Sequence, residues 1–429
     1  MKRRIIAVAA ATAAALVLAG CSSPDSGEES GGSDITLWLN GGDTPDELRD
    51  YLKTEYADAT GGELTIEEQS WTDALAKLTT ALPDAANTPD VVEIGNTWAP
   101  TFTHAGAFTD LSDMYEELGG EKLLASFVEV GSVDGAEYAL PYYFGSRYMF
   151  YRKDVWEKAG ITVPATLSEF NESAAALKTA DMSGFYFGGE DWRNGVSWVF
   201  ANGGELAVQD GDEWKSTLAD PKTVTGLEQL QTLFADASLA PVTEADSTPW
   251  VNLNNNETTG APEAATIIAP GWAHWSIGDA APDPEDPTKV VNTWNDAVFG
   301  TFVLPGVDGG VAPVFAGGSN IAISAASKKQ DASKELMKII FSDDYQTMLG
   351  ENGLGPANLD FASSLGDDQF ATALIESAAE SKLTPAAPGW AAVEGSGLLE
   401  EFFGKVNGGG DVAALAKEYD AKIDELING

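Results

Sequence analysis

The sequence predicts an α/β protein built in two lobes. Three observations carry that prediction. Residues 35–95 read as strand, helix, strand, helix, strand, an alternation that gives a parallel sheet with helices on its faces. Roughly 395 residues follow a polar N-terminal stretch, more than one hydrophobic core usually organises. Residues 143–300 then carry a second set of elements, and the chain shows no internal repeat.

The elements follow in order. Ile35-Thr-Leu-Trp-Leu39 alternates as a strand and runs into the loop Asn40-Gly41-Gly42-Asp43. A helix is predicted next, with Thr44 as its cap, Pro45 in its first turn and Glu47 closing a capping box. Leu48, Tyr51, Leu52 and Tyr56 form its apolar face, and Gly61-Gly62 stops it. The strand Leu64–Glu68 leads to a helix carrying Leu75, Leu78 and Leu82, and the strand Asp90–Ile94 ends in Gly95-Asn96. In such sheets ligands sit beyond the carboxyl ends of the strands, here the loops that start at Asn40, Gln69 and Asn96. Helical periodicity returns around Leu167–Leu177 and Val224–Leu233, with a loop expected over Gly188–Gly195. Residues 246–262 and 280–287 are polar and loop-like, and Gly309-Gly310 marks a turn. Ile321–Ser324 reads as a strand, followed by a helix with Leu336, Ile339 and Ile340. Two tail helices flank Gly408–Gly410, the last capped by Asp411.

Ahead of this body lies a secretory leader. Lys2, Arg3 and Arg4 precede an uncharged apolar run from Ile5 to Leu18, and Ala19-Gly20 offers small residues before a cleavage point. Leu18-Ala19-Gly20-Cys21 resembles the bacterial lipobox, in which the cysteine is lipidated and becomes the mature N-terminus. The organisation expected is a signal peptide at 1–20 and a lipidated flexible tether at 21–34, anchoring an extracytoplasmic body to the cell membrane. Cys21 is the single cysteine, so the mature body has no disulfide, thiolate chemistry or cysteine metal site. A net charge of −43 argues against nucleic acid as a partner and against broad adhesion to anionic lipid.

Several stretches resemble the sugar-binding proteins of ABC importers, of the maltose-binding type. They are Tyr138-Ala-Leu-Pro-Tyr-Tyr-Phe144, Tyr151–Gly160, Ala269-Pro-Gly-Trp-Ala-His-Trp-Ser276, Phe315–Ile323 and Gly353-Leu-Gly-Pro356, in the family's order. The resemblance implies a two-lobed periplasmic-binding-protein-like fold, each lobe a mainly parallel sheet flanked by helices, with three hinge crossings. The crossings would fall near Pro141–Phe144, Phe315–Ser319 and residues 360–370. The N-lobe would comprise 35–141 plus about 319–362, and the C-lobe 143–316 plus about 370–429. The function implied is a monomeric receptor that closes on a neutral carbohydrate, expected to be an oligosaccharide, and presents it to permease subunits. No cofactor or metal is implied.

A pyranose offers an apolar C–H face and a rim of hydroxyls, so its site needs flat aromatic walls edged by amides and carboxylates. Among 12 tryptophans, Trp38, Trp156 and Trp214 read as packing. Trp272, after the Pro270-Gly271 turn, matches the family's stacking position, and Trp390, in Pro388-Gly389-Trp390, matches a second. Trp71 and Trp98 sit at sheet-end loops, Trp192 and Trp198 flank the 188–195 loop, and Trp275 lies near Trp272; each reads equally as wall or core. Asn40, Gln69 and Asn96 are amides at strand ends, equally able to meet hydroxyls or to cap the next element. Asp43, Glu68, Glu190 and Asp191 are candidate acceptors; Tyr142 and Tyr143 are candidate hinge walls; Gly317, Gly318 and Ser319 are candidate backbone donors. The rival classes are a receptor for a peptide or other polar solute, and a glycoside hydrolase with paired carboxylates. With 67 acidic residues such pairs are cheap to find, and no HExxH, Walker, GxGxxG or EF-hand pattern is present.

Overall fold

The computed structural model describes residues 33–245, 248–282 and 289–429. Cys21, the leader and nearly all of the tether lie outside the described residues. No helix among the described residues is long and apolar enough to cross a membrane.

The N-terminal alternation is present. Strands β1 (Ile35–Asn40), β2 (Leu64–Gln69) and β3 (Val91–Gly95) lie parallel in the order β2-β1-β3. Helices α1 (Asp46–Thr60), α2 (Trp71–Ala81) and α3 (Ala99–His104) follow them in turn. Leu48, Leu52 and Tyr56 bury the predicted face of α1, and Gly61 ends it in the left-handed region at φ 71°. The expected capping box is not formed: α1 starts after Pro45 with no side-chain cap. The Thr44 hydroxyl instead lies 3.0 Å from Tyr142 Oη, a long-range partner that outcompetes the local cap.

The long strand Ala139–Arg152 joins the lobes. Its first half, to Ser146, pairs antiparallel with the strand Ala316–Ile323. From Arg147 onward it pairs antiparallel with Thr266–Pro270, and from Met149 also with Phe299–Phe302. One sheet therefore serves both lobes, and the changeover falls a few residues beyond the expected Pro141–Phe144. The two-lobed α/β architecture stands, but among the described residues the parallel character is confined to β1–β3 and three isolated bridges, Ser183 with Ala264, Tyr186 with Ile267 and Phe315 with Lys382. The strands paired with the long strand run antiparallel to it.

Two large cores match the two lobes. One gathers Leu37, Leu48, Leu52, Tyr142, Ile321, Leu336 and Leu349. The other gathers Trp156, Phe170, Trp198, Leu230, Trp390 and Phe402. A third cluster around Phe127, Phe144, Tyr148, Ala316 and Leu374 packs where the chain passes between them. Residues 188–195 depart from the loop expected: Asp191 caps a helix Trp192–Ala201, accepting from the Asn194 backbone N–H at 3.1 Å. In the tail, Asp411 caps the last helix as predicted, accepting from the Ala414 N–H at 2.9 Å.

Candidate ligand-binding site

The carboxyl ends of β1, β2 and β3 carry seven of the expected residues, Asn40, Asp43, Glu68, Gln69, Trp71, Asn96 and Trp98. The Asn40–Asp43 loop is pinned from two sides. Arg49 on α1 donates to Thr44 O at 2.7 Å and Gly41 O at 2.8 Å, and pairs with Glu68 at 3.0 Å. The Gly41 N–H meets Gln69 O at 2.7 Å. Gly41 has φ 54°, and a Cβ there would stand 3.1 Å from Trp71 Cδ1, so the bare backbone lets the indole lie against the loop. Trp71 opens α2 and donates Nε1–H to Asp43 Oδ2 at 2.8 Å. Trp98 stands beside it, ring centroids 5.8 Å apart and planes tilted 59°. Tyr143 on the long strand donates to the same Asp43 oxygen at 3.1 Å. The result is a floor of two indoles and an exposed carboxylate already held by two donors.

The three amides serve this floor from beneath. Asn40 Nδ2 donates to Glu93 O at 3.1 Å, Asn96 Nδ2 donates to Ala316 O at 3.3 Å, and Gln69 Oε1 accepts from Lys77 Nζ at 3.1 Å. All three are buried, so they brace strand ends. Glu68 is exposed and paired with Arg49. Gly317 and Gly318 lie in the crossing strand opposite Gly145 and Phe144, and Ser319 stands opposite Tyr143. Gly318 has φ 139°, and a Cβ there would fall 2.4 Å from Tyr143 O.

From the second lobe, Trp272 and Trp275 project from the short turn Gly271–Ser276, just past Pro270, which pairs with Arg147. They are 47% and 56% exposed, the most open of the large aromatic side chains. Trp272 meets Trp250 edge-on at 4.8 Å. Trp275 reaches the first lobe: a Cβ on Gly353 would lie 3.3 Å from its Cζ2. Between them is a cavity of about 460 Å³, lined by Pro45, Gly353, Tyr148, Gly271, His274 and Trp275. Pro45, just ahead of α1, and Gly353 are first-lobe residues in its lining. Burial holds the His274 imidazole below its ordinary titration range.

Other expected residues are placed elsewhere. Trp390 is 0% exposed in the second-lobe core. Trp192 and Trp198 are buried there as well, their Nε1–H groups donated to Glu400 and Asn171. Tyr142 is buried in the first-lobe core, its hydroxyl held between Thr44 and Tyr345. These four side chains present no face to a ligand, because each fills a core its own lobe needs. Asp191 is spent as a helix cap, and Glu190 is half-buried against Gly404.

Two residues escaped sequence reading. Arg49 sits on an exposed-looking helical stretch with no signal that it clamps a loop one turn earlier. Glu93 did carry a signal, a carboxylate inside the apolar run Val91-Val92-Glu93-Ile94. It is 0% exposed, its Oε2 accepts the Asn40 N–H at 2.7 Å, and burial pushes its carboxyl up to about 7.

Residues 52–375 match the profile of the bacterial extracellular solute-binding protein family. The diacetylchitobiose-binding protein DasA of Streptomyces coelicolor is 33% identical over 100% of this chain and 99% of its own length. The sugar-binding protein MalE of Xanthomonas citri superposes with a TM-score of 0.76 at 21% identity, covering 92% of this chain and 97% of that one. UgpB of Mycobacterium tuberculosis, in complex with glycerophosphocholine, superposes at 0.70 and 18% identity, covering 92% and 98%. The last two show a shared fold. The matched family is one of solute-binding proteins, not of enzymes, which removes the hydrolase alternative. The chain belongs to the bacterial extracellular solute-binding proteins, in the two-lobed form typified by MalE.

Proposed function

We propose that this protein is a lipid-anchored receptor that captures an oligosaccharide between its lobes and hands it to an ABC import permease. The observation that carries the reading is the floor at the strand ends: Trp71 and Trp98 side by side, with Asp43 held by the Trp71 and Tyr143 donors. Indole faces suit the C–H face of a pyranose, and a fixed carboxylate suits its hydroxyl rim. Trp272 and Trp275 supply exposed indoles on the second lobe, as an opposing wall requires. The whole-length similarity to DasA makes diacetylchitobiose the first ligand to try.

Closure would turn on the long strand, where pairing changes partners between Ser146 and Arg147, and on the neighbouring strand at Gly318. Ligand that touches both lobes shifts the population toward the closed form by its differential affinity for that form.

Calorimetric titration with diacetylchitobiose, maltotetraose and a tripeptide tests the reading. Binding of a sugar with micromolar or tighter affinity supports it; binding of the peptide alone refutes it. The anchor is tested separately: Cys21→Ser should move the protein from the membrane fraction to the soluble fraction with its sugar affinity unchanged. Wild-type protein that lacks N-terminal lipid in mass spectrometry refutes the anchor.

A further inference from the structure

A carboxylate in the middle of an apolar strand is costly unless the surroundings compensate it. Glu93 is such a group. Its Oε2 accepts the Asn40 N–H at 2.7 Å, and its Oε1 accepts no hydrogen bond. The hydroxyls of Ser319 and Tyr143 and the Asp43 carboxylate face it. Ser319 Oγ lies 3.5 Å from Tyr143 Oη, and Tyr143 donates to Asp43 at 3.1 Å. A chain of polar groups thus leads from buried Glu93 on β3, through the crossing strand and the long strand, to the exposed floor. Around it stand Tyr142 with Thr44 and Tyr345, and beyond them Arg49 with Glu68. Burial is the main force on the carboxyl, opposed by Ser319 and Asn40; the Asp43 charge adds to the burial effect.

We propose that Glu93 is a positioning residue of the ligand floor, acting in its protonated form, and that sugar capture is coupled to uptake of a proton at Glu93. The proposal rests on the sugar-capture reading above. A sugar lying over Asp43 expels the water that screens its charge. The two carboxylates then repel more strongly, and the buried one yields by holding its proton. The sign follows from linkage: the bound form has the higher proton affinity, so binding is tightest at low pH and weakens as pH rises through neutrality. If binding raises the titration point by about one unit, the limiting affinities differ about tenfold.

Calorimetry of the full-length protein with diacetylchitobiose, and in parallel with maltotetraose, reads affinity and proton uptake together. It should run from pH 5.5 to 8.5 in buffers of different ionisation heat. The expected result is binding about five- to tenfold tighter at pH 6 than at pH 8.5, with fractional proton uptake near pH 7. Glu93→Gln should abolish the uptake and flatten the profile, with melting curves confirming the fold. A purely structural role would leave the two pH profiles parallel. Infrared spectroscopy of the sugar-free protein gives an independent arm: a protonated carboxyl band titrating near neutrality. That band should be lost in Glu93→Gln and shifted to lower pH in Asp43→Asn. Equal wild-type affinity at both pH values overturns the proposal, as does an unchanged profile in Glu93→Gln or the absence of the band. If neither sugar binds at any pH, the sugar reading and the coupling fall together, while a titrating band still upholds Glu93 as the neutral-pH group.

Discussion

Trp71 supplies the floor with two separable things, a flat face and a hydrogen-bond donor that orients Asp43. Its ring fits against glycine backbone on two sides: a Cβ at Gly41 would lie 3.1 Å from Cδ1, and one at Gly95 would lie 3.3 Å from Cζ3. Trp71→Phe keeps a smaller face and deletes the 2.8 Å bond to Asp43. A hydrogen bond to a charged group is worth about 1.5–3 kcal/mol, and the exposed setting puts this one at the low end. The expected loss is about tenfold in affinity. Trp71→Ala removes the face as well, a truncation of about 2–4 kcal/mol, or about thirtyfold to a thousandfold. Calorimetry with diacetylchitobiose on samples of matched circular dichroism should rank wild type above Phe and Phe above Ala. Trp71→Ala within twofold of wild type would refute the floor. Equal losses for Phe and Ala would place the whole effect on the donor and remove the stacking argument.

Three further predictions concern the scaffold. Gly318→Ala forces a side chain into φ 139° with its Cβ 2.4 Å from Tyr143 O, and should cost more than about 3 kcal/mol in urea unfolding; a cost under about 1 kcal/mol contradicts the close approach. Trp390→Ala should cost about 3–5 kcal/mol by the same assay, as a fully buried indole does; a loss confined to ligand affinity, with stability unchanged, would contradict its burial. Glu93 titrates near 7 when folded against an ordinary 4.5, so the native state holds its proton more tightly than the unfolded chain between those values. This term favours folding fully below about pH 4.5, fades as pH rises to about 7, and is absent above. Glu93→Gln should therefore gain on wild type by up to about 3 kcal/mol at pH 8 relative to pH 4. An equal stability gap at both pH values would refute the burial argument.

The grouping of the candidate site's residues was legible because topology dictates it. Three parallel strands expose their carboxyl ends on one side, and the residues that follow, Asn40–Asp43, Trp71 and Trp98, are brought together whatever else the chain does. The role of each residue there was less legible. Asn40, Gln69 and Asn96 have the right chemistry for hydroxyls, yet the nearest partners that burial leaves them are scaffold groups. A buried amide takes the partners its scaffold offers first, backbone carbonyls for Asn40 and Asn96 and the Lys77 ammonium for Gln69, since an unpaired buried group costs more than a ligand contact returns. Glu93 was overlooked for the converse reason: strand periodicity marks it as buried, and only the geometry shows that it is buried beneath the floor.

The tryptophans show where local sequence stops deciding. Pro270-Gly271-Trp272 and Pro388-Gly389-Trp390 are the same tripeptide, and both precede a short helical element. One indole is 47% exposed and the other 0%. The difference lies in what reaches the glycine. Gly389 donates to Ile427 O at 2.9 Å, and a Cβ on it would stand 1.9 Å from Leu426 O, so the C-terminal backbone clamps that turn and carries Trp390 into the core. At Gly271 the atoms nearest the same imagined Cβ belong to side chains, Tyr148 at 3.3 Å and Leu374 at 3.6 Å, and Trp272 stays exposed. A distance of 155 residues along the chain separates Trp272 from Ile427, the residue whose counterpart would have buried it. Exposure or burial of the indole is therefore assigned by tertiary packing, and the tripeptide alone does not decide between them.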